Sequence, residues 1–129
     1  MTNRADQQRG APWDRTWFRV EPFPGCVVVS AGGEIDAHYS PSLDRALRSA
    51  MQSSASVVVD LTEVSFIDSS GIGALIRART LADEMGGSVY LVDPPTMVRK
   101  ILVGTQLQQS FVVCSSLDEA LGRVSRARG

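Results

Sequence analysis

Hydrophobic positions follow two periods along this chain, and the period switches where one kind of element gives way to another. Trp17, Phe18, Val20 and Phe23 mark a short β-prone stretch, Pro24-Gly25 turns the chain, and Cys26-Val27-Val28-Val29-Ser30 reads as a second strand. Two strands this close together form a hairpin. Helical spacing then begins. Ser40 is the expected N-cap, Pro41 suits a first helical position where its missing N–H costs nothing, and Leu43, Leu47, Ala50 and Met51 supply one apolar face. Ser56-Val57-Val58-Val59-Asp60-Leu61 is almost wholly apolar, as a strand covered on both faces must be.

The alternation continues to the C-terminus. A helix starts near Asp68, buries Ile72, Leu75, Ile76, Ala82 and Met85, and ends at Gly86-Gly87. Val89-Tyr90-Leu91-Val92 is the next strand. Pro95 opens a short helix with Val98, Ile101 and Leu102 inward, closed by Gly104. Phe111-Val112-Val113-Cys114 is the last strand. Ser116 and Glu119 form a capping box, each side chain taking the other residue's N–H, ahead of a helix from about 117 to 124.

Strands alternating with helices give an α/β fold: a mostly parallel sheet with βα crossover units, an antiparallel hairpin strand at the N-terminus and about four helices. The 129 residues make one domain, 16–129, preceded by a polar stretch, 1–15, with no apolar period, read as a flexible tail.

Composition narrows the function. Thirteen basic and fourteen acidic residues leave a formal charge of -1, a balance that gives no electrostatic footprint for sequence-independent nucleic-acid binding, which needs a basic face. No apolar run approaches a bilayer span, and residues 1–15 lack the apolar core of a signal peptide, so a cytoplasmic protein away from the membrane is expected. Cys26 and Cys114 are too few for a disulfide scaffold, and one histidine leaves a zinc cage short of ligands. Neither a metal nor an organic cofactor is expected.

The densest polar cluster is Asp68-Ser69-Ser70-Gly71, with Gly73 beyond it, between the apolar approach of Val64, Phe66 and Ile67 and a helix. A helix N-terminus offers free N–H groups and a positive dipole end. Asp68 or Ser69 can simply cap the helix. Two serines followed by glycine exceed what a cap requires, so one can cap while the other presents a free hydroxyl. Hydrolase chemistry is not expected. The only histidine, His38, lies in a loop with Asp36 and Tyr39, the order Ser-Ser-Gly-Ile-Gly is not the nucleophile elbow, and Gly71-Ile72-Gly73 lacks the Gly-Lys-Ser/Thr ending of a phosphate loop. The chain is read as a non-enzyme.

Gly33-Glu34-Ile35-Asp36, Val57-Val58-Val59-Asp60-Leu61 and Phe66-Ile67-Asp68-Ser69-Ser70-Gly71-Ile72-Gly73 resemble the signature of bacterial anti-sigma factor antagonists, the single-domain STAS proteins. The resemblance continues through Gly86-Gly87, Pro95-Thr96-Met97-Val98 and Leu107 to Leu117-Asp118-Glu119-Ala120-Leu121, covering about residues 17–125. It implies a STAS-type fold and a protein-binding switch. The unmodified form binds an anti-sigma factor that is also a serine kinase, and so releases the sigma factor. The kinase phosphorylates the second serine, which maps onto Ser70, and a serine/threonine phosphatase resets the switch. Asp36, Asp68, Ser69, Ser70 and Gly71 are the implied partner-binding residues. His38-Tyr39 stands where the family commonly has small residues.

Two other readings stay open. One is a non-switching accessory subunit of a transporter ATPase, a role whose holders tend to lack the serine pair. The other is a redox-responsive variant using Cys26 and Cys114. Both cysteines fall at strand ends among valines, several strands apart in a sheet that follows sequence order, beyond the reach of a disulfide.

Deleting residues 1–15 is expected to leave the thermal midpoint unchanged, because the segment has no apolar face to bury. Trp13 is its one aromatic residue. A midpoint lower by several degrees in the truncated protein would show that the segment packs on the domain.

Overall fold

The computed structural model describes residues 16–107 and 110–128, so the expected tail at 1–15 lies outside the described residues. β1 (Trp17–Phe23) and β2 (Cys26–Ile35) form an antiparallel hairpin turned at Gly25, whose φ of 84° suits glycine. There follow α1 (Ser40–Met51), β3 (Val57–Ile67), α2 (Ser69–Glu84), β4 (Val89–Val92), α3 (Thr96–Gly104), β5 (Val112–Cys114) and α4 (Leu117–Arg128). The sheet has five strands in the order β1-β2-β3-β4-β5, and every pair after the first is parallel. The expected architecture holds, antiparallel strand included.

Strand alternation sorts the valines into two cores. Val27, Val29, Val57, Val59, Leu61, Val89 and Leu91 face a layer made by Leu43 and Leu47 of α1, Ile72 and Leu75 of α2, and Val98 and Leu102 of α3. Their neighbours Cys26, Val28, Val58, Tyr90, Val92 and Cys114 face the opposite way, under Ala120 and Val124 of α4. Continuous apolar runs are required because both sides of the central strands are covered.

Several boundaries differ from the sequence reading, each for a local reason. β2 and β3 extend to Ile35 and Ile67 rather than ending at 30 and 61. Their polar second halves hide the strand period, yet the ladder continues through register shifts at Ser30/Gly32 and Gly33/Glu34. Ser40 is not the N-cap of α1 but its first residue. Asp36, four positions earlier, already serves the helix start, its Oδ1 accepting from the His38 and Tyr39 N–H groups and its carbonyl from Tyr39 and Ser40.

In α2 the buried face is Gly71, Ile72, Ala74, Leu75, Ala78 and Ala82; Ile76 is half-buried and Met85 is exposed beyond the last helical turn. The capping box is half as expected. Ser116 Oγ accepts from the Glu119 N–H at 3.1 Å, but Glu119 reaches past Ser116 to the Ser115 N–H at 2.7 Å. β5 begins at Val112, with Phe111 buried just before it, and α4 continues past Val124 to Arg128.

The turn from α2 into β4 is closed by contact with the turn before β3. A Cβ on Gly87 would run into the backbone carbonyl of Ala55, whereas one on Gly104 meets nothing within 4 Å. Backbone cannot swing aside as a side chain can. Gly87→Ala is therefore expected to cost about 1–3 kcal/mol of unfolding free energy, and Gly104→Ala to be neutral or slightly stabilising. Urea denaturation of both variants checks this; equal midpoints would contradict it.

Candidate functional site

β3 pairs with β4 only as far as Asp60, so from Leu61 to Ile67 it continues beside β2 alone. The two strands stop in register, Ile35 opposite Ile67. That common ending brings together the 36–39 loop after β2 and the start of α2 after β3. The Asp68 N–H donates to the Ile35 carbonyl at 3.0 Å, and the Asp68 carboxylate accepts from the Ala37 backbone. Asp36, Asp68, Ser69, Ser70 and Gly71 thus occupy one end of the sheet.

Asp68, not a serine, caps α2. Its backbone is extended (φ -93°, ψ -174°), and Oδ1 accepts from the N–H groups of Ser70 at 2.9 Å and Gly71 at 3.2 Å. The same oxygen accepts the Ser70 hydroxyl at 2.5 Å. The expectation of one capping serine and one with a free hydroxyl is corrected here. A carboxylate ahead of both does the capping, Ser70 is half-buried with its O–H engaged, and Ser69 is exposed.

These contacts set the electrostatics. The Asp68 carboxyl is held below its ordinary value of 3.8, first by the Ser70 hydroxyl and then by the N–H groups of Gly71, Ser70 and Ala37, against a desolvation that pushes the other way. Asp36 adds an exposed carboxylate anchored by its own turn. His38 is exposed and meets Tyr39 edge to face at 4.7 Å, in keeping with a loop histidine.

Gly71 takes a different part from its neighbours. It is buried, and a Cβ there would lie 2.5 Å from Ile67 Cγ1 and 3.1 Å from Ile35 Cγ2. The missing side chain lets the first turn of α2 sit directly on the ends of β2 and β3. Phe66, read as part of an apolar approach, instead stands outward at 39% exposure beside the site. Its alternation with the buried Ile67 was the signal that could have placed it.

The two cysteines stay apart. They sit on β2 and β5, with β3 and β4 between them, so at about 4.8 Å per strand the backbones are roughly 14 Å apart. Both are buried and neither is in a disulfide. Burial pushes the Cys114 thiol up, which disfavours the reactive thiolate. Among the described residues no helix is long and apolar enough to cross a membrane.

Residues 18–120 match the family model of the STAS domain. An anti-sigma F factor antagonist of Paenibacillus polymyxa is 28% identical over 87 residues, which span 66% of this chain and 74% of that one. The crystal structure of an anti-sigma factor antagonist from Mycobacterium paratuberculosis is 34% identical with a TM-score of 0.72, covering 89% of this chain and 97% of that one. The Bacillus cell fate determinant SpoIIAA in its phosphorylated form shares the fold, with a TM-score of 0.71 at 23% identity over 84% of this chain and 99% of that one.

The depressed Asp68 carboxyl makes a testable link to acid stability. A folded-state value below the unfolded one contributes stability above the unfolded value and loses it as pH falls through the folded one. Below about pH 4 the thermal midpoint of the native protein should therefore fall more steeply than that of Asp68→Asn, which keeps an acceptor for the helix N–H groups but does not titrate. Thermal melts across the acid range decide it, and parallel curves for the two proteins would contradict the assignment.

Proposed function

The chain belongs to the STAS domain family, and from that premise we propose that it is an anti-sigma factor antagonist switched by phosphorylation at Ser70. The unmodified protein binds an anti-sigma factor with serine kinase activity and displaces the sigma factor. Phosphoryl transfer to Ser70 ends that binding, and a serine/threonine phosphatase restores it. All of this takes place in the cytoplasm, by protein–protein contact and without catalysis by this chain.

One observation carries the reading: a half-buried serine hydroxyl in the first turn of α2, donating to Asp68 Oδ1 at 2.5 Å, beside the Asp36 loop. With its proton turned toward Asp68, Oγ has its lone pairs directed away from that carboxylate. In the transfer, Oγ bonds to the terminal phosphorus of the kinase's ATP, the bond to ADP breaks, and the hydroxyl proton leaves; Asp68 Oδ1 is the first acceptor on its way. The product carries about −1.5 to −2 extra charges next to Asp68 and Asp36. A partner surface fitted to a neutral hydroxyl then meets bulk and uncompensated charge. The positive dipole end at the start of α2 favours the added charge, so the domain need not unfold to accept it.

Candidate anti-sigma kinases with ATP, followed by mass mapping of the modified residue, test the acceptor. Ser70→Ala should keep affinity for the anti-sigma partner and escape inactivation. Ser70→Asp should weaken binding, though less than a phosphate, because a carboxylate has less charge and fewer acceptor oxygens. Ser69→Ala should still accept phosphate at Ser70. Amide shifts on phosphorylation should stay within the Asp36 loop and residues 68–73. Modification at Ser69 instead, or unchanged affinity after modification of Ser70, would overturn the proposal.

A further inference from the structure

α1 and α2 pack side by side on the sheet. Between them, toward the end of α2, an open cleft of about 160 Å³ is lined by Leu47 and Met51 of α1 and by Ala78 and Leu81 of α2. That is room for about one leucine or methionine side chain. The apolar surface does not stop at the cleft. Leu81 is 37% exposed, and Met85, four residues on, is 43% exposed. Apolar groups that are contiguous, rather than scattered singly, mark a contact surface.

The charges along this stripe are unevenly placed. Arg48 and Arg77 border the cleft, and each gives its Nε to Asp44, at 2.9 and 3.2 Å. One carboxylate thus serves two exposed guanidiniums, which leaves an excess of positive charge there. Glu84 stands two helical turns beyond Arg77, and so on the same side of α2. It is exposed and has no ion pair among the described residues. The last turn of α2 carries no basic residue, although the helix dipole disfavours a carboxylate at that end. Leu81 lies between the two charges. A stripe that is positive at one end, apolar in the middle and negative at the other is complementary to itself turned end for end.

We propose that a second copy of this chain docks on this stripe, with the two α2 helices antiparallel about a two-fold axis at Leu81. The contact is isologous: Leu81 meets Leu81, Met85 of each copy enters the other's cleft beside Ala78, and Glu84 of each reaches the other's Arg77 and Arg48. The starts of the two α2 helices point away from each other. Ser70 therefore stays outside the contact, and the inference does not rest on the reading of that site. One stripe along two helices is a small interface, so the dimer is weak, with a dissociation constant of about 10–100 μM.

Sedimentation equilibrium of the full chain from about 5 μM to about 1 mM brackets that range. The mean mass is expected to rise from monomer toward dimer. Arg77→Glu and Glu84→Arg each set like charges face to face, and each should weaken self-association about tenfold or more. An equal mixture of the two variants should restore it, because in the mixed pair both contacts again join opposite charges. A wild-type chain that stays monomeric over the whole range overturns the proposal. So does a mixture of folded variants no more associated than either alone, or a single variant that associates as strongly as wild type. Should either variant lose its folded spectrum, Leu81→Asp takes its place at an exposed position on the axis, and dimerisation undiminished by it overturns the proposal equally.

Discussion

The parallel pairing of β2 with β3 runs to the last residue of each strand, Ile35 beside Ile67, and the site beyond depends on that shared ending. A shorter β2 would leave the Asp36 turn part-way down the sheet. A shorter β3 would start α2 lower and separate Asp68 from the Ile35 carbonyl. The pairing survives two register shifts because both strands bury their inner residues, Ile35 and Ile67 completely. A slip by one position would turn those side chains to solvent. Gly71 completes the arrangement by leaving room for the helix to descend onto the strand ends.

Within that frame one carboxylate oxygen organises the site. Asp68 Oδ1 holds two backbone N–H groups and the Ser70 hydroxyl, so it caps the helix and orients the hydroxyl at once. On the proposed reading, the same arrangement would make the site respond to modification of that hydroxyl. A neutral O–H satisfies the carboxylate; a phosphate in its place removes that donor and sets two anions against each other, both drawn to the same helix end. The domain as a whole is nearly neutral, with a formal charge of -1, so a local change of this size dominates the field at this end of the sheet.

The two faces of the sheet are unequally used. Three helices cover one face, packing Leu43, Leu75 and Leu102 onto it. α4 alone lies over Cys26, Tyr90 and Cys114. There the thiols behave as small apolar groups, and burial with the neighbouring thiols pushes the Tyr90 phenol up. Polar chemistry is accordingly found at the sheet ends, where strands stop and backbone groups need partners, and not on either packed face.

What the sequence by itself determined was the order and type of the elements, because apolar runs such as Val57-Val58-Val59 and the spacing of Leu43, Leu47 and Ala50 are local patterns with one period each. It also contained the Asp68–Gly71 cluster, whose residue types are unusual wherever they fall. It did not contain the ends of β2 and β3, since residues such as Glu34 and Glu63 are strand residues only by virtue of the neighbour they pair with. Nor could it choose among Asp68, Ser69 and Ser70 as the cap, a choice made by the angle at which the chain leaves β3. Ser40 and Met85 were misplaced for the same reason: a local pattern reports which residues can cap or be buried, and partners distant in sequence decide which ones are.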